Sequence, residues 1–584
     1  MRRAIFALAA AGLLLPATPL AASAADSRRH SSSELTREGA LGAGERQAYR
    51  AVFASIRAGD WTQAEARLAA MREGPLHHVA RAELYLAPGS PRIERPALDA
   101  LLRAAPELPH AERLARLAAS RGSKPVPGYR RPGRLIGLAG QPIRDRARGA
   151  REGGAAAALD PLHQELIVGD RPREAEALLG EHETGLSRAA VTEFRQRIGW
   201  SYYLVRDDRS ARRLSDLAAR GGGEWGIHAA WVSGLASWRL GDCDDAARAF
   251  GHVAAHSGDA ELVAAGNYWA SRAEMKCGRP ERVQARLRSA ARLGETFYGL
   301  LAARALGIAA PAPAPTAYRA SQWREIAREA NVRAAIALVG IGERELAGVL
   351  IRHQARLGGR DQHKALIGLA ADLGLASTQI WLAHNAPSGT SVDIAARYPA
   401  PDWRPAHGWR VDKSLVYAHA LQESRFRESV VSPAGATGIM QLRPGTAADM
   451  ARRNGESFHS AQLTDPETNI EYGQRYLEYL RDLSGTQGLL PKVIAAYNAG
   501  PAPISEWNSR GFDGGDPLLY IESIPYWETR GYVPIVLRNY WVYEDQAGRG
   551  SASREALVQG LWPRFPGLAG ATALRMNAFG RTAD

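Results

Sequence analysis

Between about Glu45 and Gly307 the chain repeats one phrase, with Ala and Leu at helical spacing, as in Ala64, Leu68 and Met71, broken by short polar turns. The turns include Gly59-Asp60, Gly169-Asp170, Arg206-Asp207-Asp208, Gly241-Asp242 and Cys277-Gly278-Arg279-Pro280. Gly ends one helix in a left-handed conformation and Asp caps the next. Such hairpins stack, because one alone cannot bury its apolar face. The pattern predicts an α-superhelical region over residues 25–308. Its irregular period favours a scaffold that supports the other end of the chain over a protein-binding solenoid of tetratricopeptide type.

Two breaks interrupt the pattern. Ser123 to Arg151, rich in Pro, Gly and Arg, reads as a loop excursion. Residues 309–316, in which Pro and Ala alternate from Pro311 to Pro315, form a stiff connector, a natural boundary. A helical linker domain is expected over 317–397, and Tyr398-Pro399-Ala400-Pro401 opens a last domain over 398–570, with a tail at 571–584. In that domain Asp412 caps a helix carrying Leu415, Ala418 and Leu421. Thr446 with Asp449 resembles a second cap. Asp465 opens a helix whose stripe is Ile470, Gly473, Leu477 and Leu480.

Composition agrees with an all-α fold. Val and Ile are sparse while Ala, Leu and Arg are abundant, a mix that favours helix over strand. At 584 residues, 45% apolar and 23% charged, the chain is a folded protein of several domains. Arg2 and Arg3, the apolar run Ile5 to Leu15 and the small-residue site Ala22-Ser23-Ala24 read as a secretory signal over 1–24. That run is too short to span a bilayer, and no later segment is apolar and long enough, so the expected location is the periplasm with no integral membrane segment after signal removal. Cys243 and Cys277 can pair in an oxidising compartment or be two unrelated buried residues. Their spacing does not suit zinc, and His77-His78 has no partner at ligand spacing, so neither metal nor cofactor is expected. The net charge of +13 suits a polyanion, whether nucleic acid, anionic lipid or an acidic wall polymer. Export argues against nucleic acid, and Arg residues spread along helices also read as solvated faces, so the charge supports a wall polymer without identifying it.

The chemistry concentrates late in the chain. Glu423-Ser424-Arg425-Phe426 places a carboxyl near a helix C-terminus. There the helix dipole and an apolar wall both raise its proton affinity, which suits an acid catalyst. Ser432 begins a turn built on Pro433, Gly435 and Gly438, whose glycines permit close approach of a ligand or of packed chain. Met440 can face the methyl of an N-acetyl group or sit in the core, and Gln441 can bond its amide. Tyr497-Asn498 ends another helix and can hold a sugar or cap the fold. In Ile524-Pro525-Tyr526-Trp527-Glu528-Thr529-Arg530, Glu528 can pair with Arg530, bind substrate, or do both.

This ordered set resembles the soluble lytic transglycosylases, in their large superhelix-bearing branch, strongly over about Tyr398 to Tyr543 and architecturally before that. Phe297-Tyr298-Gly299-Leu300-Leu301-Ala302-Ala303 resembles a phrase near the end of that family's superhelix, though by itself it is only an aromatic-Gly helix contact. The resemblance implies a lysozyme-like, mainly α catalytic domain with Glu423 as acid/base. It also implies that Ser432, Gln441, Tyr497, Asn498 and Glu528 line the cleft or orient the reacting sugar. Ile439 stands where the family more often has Leu, and Gly531 where it often has a polar residue, which puts the local loop in question.

The implied reaction cleaves the β-1,4 bond between N-acetylmuramic acid and N-acetylglucosamine in peptidoglycan without water, leaving 1,6-anhydromuramic ends. Two rivals stand beside it. A goose-type muramidase would hydrolyse the bond with a second carboxylate drawn from Asp449, Glu456, Asp465 or Glu467. A non-catalytic wall-binding scaffold would use the helical region to dock cell-wall synthesis proteins. A fragment from about Tyr398 is expected to keep the chemistry, because every motif for it lies after the connector.

Overall fold

The computed structural model describes residues 41–150, 153–309, 320–512 and 515–577. The expected signal segment, nearly all of the Pro-Ala connector and residues 578–584 lie outside that range. The described chain is all-α, and its strands are two-residue pieces such as Trp562–Pro563 paired antiparallel with Ala573–Leu574.

Packing divides the chain into two compact units, 1–136 with 317–391 and 137–316 with 392–584. The boundaries expected at 308/309 and 397/398 mark changes along the chain, whereas packing joins two separated segments in each unit. In the first unit helix Ala43–Ala58 buries Tyr49, Val52, Phe53 and Ile56 and packs on helix Ala330–Ile341. Arg50 donates to the Gly340 carbonyl (3.2 Å), and Arg57 pairs with Glu343. Residues expected in a separate linker domain therefore share a core with the start of the chain.

The second unit begins with successive helix hairpins. Gly241 ends helix Gly223–Leu240 at φ 80°, and the Asp242 carboxylate caps the next helix by accepting from Asp245 N (3.2 Å). At two of the predicted turns a side-chain-bearing residue takes the left-handed conformation instead of Gly, Asp170 at φ 55° and Arg206 at φ 65°. A short polar side chain tolerates that region. Arg206 is held there by bonds from its guanidinium to the Arg510 (3.3 Å) and Gly511 carbonyls. Cys243 and Cys277 are joined in a disulfide with Cα atoms 5.5 Å apart, tying helix Cys243–His256 to the end of helix Ala260–Lys276.

Trp231, Phe250 and Trp269 cluster where three of these helices meet, with ring centres 5.1 to 6.5 Å apart. A Cβ on Gly234 would stand 2.5 Å from the Phe250 ring, so the helices approach only because that position is bare. Gly234→Val should therefore destabilise the protein by about 1–3 kcal/mol through overpacking. The measurement is the urea midpoint, and an unchanged midpoint would show that the ring has room to move.

The aromatic-Gly phrase joins this helical part to the last domain. Phe297 stacks on Trp541 (5.1 Å, 18°). The Tyr298 hydroxyl accepts from Trp269 Nε1 (2.9 Å) and donates to Glu522 (2.8 Å). Arg144 completes the network with two bonds to Glu522, at 2.7 and 3.0 Å. Farther along, Arg538 pairs with Glu261 at 3.1 Å, both side chains under 10% exposed.

Candidate active site

Asp412 accepts from Ser414 N (2.8 Å) and starts helix Lys413–Ser424, as the sequence predicts. Arg549 grips the same carboxylate at 2.7 and 2.9 Å. The helix stops abruptly, with Arg425 at φ 53° and Phe426 at φ 59°. Two left-handed residues in succession cost about 1–3 kcal/mol each and persist only where packing enforces them. Here the Ser424 hydroxyl donates to the Ile439 carbonyl (2.7 Å), and the buried Phe426 ring packs between Trp403 (5.8 Å) and Tyr417 (5.5 Å). The turn leaves Glu423 at the helix end with part of its surface open.

The carboxyl of Glu423 is ringed by protein, and burial pushes its pKa up to about 7. A hydrogen bond from the Tyr532 hydroxyl to Oε1 (2.5 Å) opposes that rise, and the nearby charge of Glu528 adds to it. His419, one helical turn before Glu423, places Nδ1 2.9 Å from the same Tyr532 hydroxyl. Burial pulls His419 down to about 3, so its imidazole is neutral. Desolvation is thus the main cause of the raised acid, ahead of any neighbouring charge.

The glycine turn faces the protein. A Cβ on Gly438 would meet the Leu463 carbonyl at 2.2 Å and Asn469 Nδ2 at 2.3 Å, so this glycine admits packed chain and not a ligand. Fully buried Asn469 holds the loop: its Oδ1 accepts from Met440 N (2.8 Å), and its Nδ2 donates to the Thr437 (3.0 Å) and Leu463 (2.9 Å) carbonyls. Met440, expected in the cleft, has no exposed surface and lies where a Cβ on Gly473 would be 2.2 Å from its sulfur. That correction follows from the glycine in the Ile470 stripe, which opens a slot for the thioether. Ser432 closes its own turn, with Oγ accepting from Ala436 N (3.0 Å). Gln441, left-handed at φ 49°, spends its amide hydrogens on the Val430 (3.2 Å) and Gly438 (2.9 Å) carbonyls. The predicted cap at Thr446 and Asp449 is not made: helix Pro444–Arg453 starts at Pro444 with no side-chain cap, and Asp449 pairs with Arg452.

Tyr497 and Asn498 end helix Leu490–Ala499 beside Glu423. The Tyr497 hydroxyl donates to the Met440 carbonyl (2.8 Å), and its ring lies 4.6 Å from that of His419. Asn498 accepts from the Thr529 hydroxyl (2.6 Å) and donates to the exposed carboxylate of Glu528 (3.3 Å). The expected Glu528–Arg530 ion pair is absent among the described residues. The two residues stand two apart on helix Trp527–Gln546, so their side chains point about 200° apart around it. Arg530 instead stacks on Trp200 (4.1 Å) and Trp527 (5.1 Å), lowered to about 10 by burial. With Trp200, Trp225 and Trp231 these residues line a cavity of about 900 Å³ that Glu423 does not border. Gly531 lies inside helix Trp527–Gln546, so it perturbs no loop.

Glu423, Tyr497, Asn498 and Glu528 thus lie together, with Gln441 on the loop tied to Tyr497. The sequence reading missed Tyr532, His419, Thr529 and Asn469. Helical periodicity could have found two of them, since His419 is four residues before Glu423 and Tyr532 four after Glu528, each on the same face.

Comparison with known proteins gives the class of this domain. Residues 404–516 match the family described as Transglycosylase SLT domain, so this stretch is similar to domains of the lytic-transglycosylase type. The chain is 41% identical over 132 residues to the soluble lytic murein transglycosylase of Escherichia coli K12, covering 22% of this chain and 20% of that protein. It is 36% identical over 137 residues to a putative soluble lytic murein transglycosylase of Haemophilus influenzae, covering 23% and 22%. The matched region therefore spans about a fifth of the length of these relatives. The fold extends much further: the 70-kDa soluble lytic transglycosylase of Escherichia coli superposes with a TM-score of 0.54 at 18% identity, over 89% of this chain and 99% of the other. An inactive mutant of the Pseudomonas aeruginosa lytic transglycosylase gives 0.51 at 20% identity, over 91% and 94%.

Proposed function

We propose that this chain cleaves peptidoglycan between N-acetylmuramic acid and N-acetylglucosamine by transglycosylation, with Glu423 as acid and then base. The observation that carries the reading is a buried carboxyl at a helix end, raised to about 7 and held by the Tyr532 phenol, with the Glu528 carboxylate nearby bonded to Asn498. Glu423 protonates the glycosidic oxygen as it leaves on N-acetylglucosamine. The muramic N-acetyl oxygen stabilises the cationic anomeric carbon. The C6 hydroxyl of the same muramic residue then attacks that carbon and returns its proton to Glu423. The product is the 1,6-anhydro sugar, and the carboxyl is restored without water.

The fates of the four carboxylates a muramidase could draw on favour this over hydrolysis, and Glu528, whose charge reaches Glu423, is itself bonded to Asn498. Asp449 pairs with Arg452, and Glu456 pairs with Arg475. Asp465 caps a helix, and Glu467 accepts from Arg404 N (2.9 Å). None of the four is left to activate a water at Glu423. The test is the mass of products from purified sacculi: anhydro ends are lighter by one water than the reducing ends a muramidase would leave. Since the acid must carry its proton, cleavage should fall as pH rises through about 7. A profile still flat well above that pH would refute Glu423 as proton donor.

The +13 net charge suits the anionic wall polymer, and among the described residues no helix is long and apolar enough to cross a membrane. Both fit a periplasmic enzyme whose helical region steers glycan strands or meets cell-wall synthesis proteins.

A further inference from the structure

We propose that His419 is a positioning residue for Glu423, and that through the Tyr532 hydroxyl it decides which carboxyl oxygen carries the reacting proton. The proposal rests on the reading of Glu423 as proton donor.

The geometry is a chain of three groups. His419 is fully buried, with Nδ1 2.9 Å from the Tyr532 hydroxyl, and that hydroxyl is 2.5 Å from Glu423 Oε1. Nε2 of His419 is buried with no hydrogen-bond partner. A phenol has one hydrogen to give, and here it goes to Glu423. The Tyr532 oxygen must then accept from His419, which puts the imidazole hydrogen on Nδ1 and leaves a bare lone pair at Nε2. The other tautomer would strand an N–H in the core at Nε2, a state proteins avoid. It would also draw the phenol hydrogen toward Nδ1 and leave Oε1 without its donor.

The direction of this chain has a consequence for the acid. Oε1 already accepts from Tyr532, so the carboxyl proton resides on Oε2, which makes no hydrogen bond among the described residues. Oε2 is the oxygen free to meet a leaving group. Without His419 the phenol hydrogen can turn away, and the carboxyl can place its proton on Oε1 against the Tyr532 oxygen, where no substrate reaches it. The other groups facing Glu423 do not set this order. Glu528 acts by charge alone, Tyr497 donates to the Met440 carbonyl, and Tyr476 stands behind Tyr497 at 5.4 Å.

The experiment uses the full chain and soluble glycan strands, with kcat and KM followed across pH for His419→Leu, His419→Asn, Tyr532→Phe and the Leu/Phe double variant. His419→Leu should lower kcat about tenfold with little change in KM, because a polar chain is worth more than its separate bonds. Its alkaline limb should move upward, since a weaker Tyr532 bond stabilises the carboxylate less. His419→Asn, whose amide N–H stands where Nδ1 does, should restore both values. In the Tyr532→Phe background, removing His419 should shift the limb no further. Wild-type kcat and limb in His419→Leu, or additive limb shifts in the double variant, would overturn the proposal. If His419→Leu does not fold, a His419→Asn limb matching that of Tyr532→Phe overturns it equally. Glu423→Gln is measured alongside: activity retained there sinks the acid itself, a failure distinct from any result at His419.

Discussion

Glu423→Gln should leave the fold intact and lower cleavage of sacculi by about 100- to 10,000-fold, the usual contribution of a positioned proton-transfer group. Gln keeps the volume and can still accept from the Tyr532 hydroxyl through its amide oxygen. It can neither give a proton to the leaving oxygen nor take one from the C6 hydroxyl. Replacing a carboxyl that burial already disfavours costs the fold little, so thermal unfolding should stay near wild type while turnover disappears. Turnover within a few-fold of wild type would remove Glu423 from the mechanism. Loss of both activity and cooperative unfolding would show that the carboxyl is structural.

Arg538→Ala should destabilise the protein by about 3 kcal/mol or more, because removing one partner of a buried pair leaves the other charge without compensation. Glu261 is that partner, 3.1 Å away and 9% exposed, with its carboxyl pushed up to about 7 by burial and held down by Arg538. Without the guanidinium its affinity for a proton rises further. An unfolded glutamate titrates near 4.5, so the folded state binds the proton more tightly. The deficit should therefore be smallest below that pH and grow as pH rises through 7. Guanidinium titrations at two pH values measure it, and Glu261→Gln added to Arg538→Ala should recover stability at the higher pH. An equal deficit at both would show that the loss is one of packing.

Other contacts bear on the expectation for a fragment beginning near Tyr398. Phe297 covers Trp541, and Tyr298 and Arg144 satisfy Glu522, all across the stretch such a fragment removes. The fragment would expose a tryptophan that is 0% accessible in the whole unit. It should unfold at lower temperature than the full chain or lack a cooperative transition, and its activity is then no measure of where the chemistry resides.

Much of the site was legible in the sequence because its signals are local. Asp412 capping a helix, a carboxyl in the last turn of that helix, and a Tyr-Asn pair before Gly500 follow from propensity and capping within a few residues. The hairpin phrase fixed an all-α architecture in the same way, since each turn carries its own stop and cap. Tertiary structure alone decided the rest. Whether Cys243 met Cys277, whether Met440 lined the cleft or filled the slot beside Gly473, and whether Glu528 met Arg530 or Asn498 all depend on which surfaces come to face each other. The proton affinity of Glu423 is of this kind too. The helix end was visible in the sequence, but the dominant cause is desolvation, and burial is a property of the packed chain.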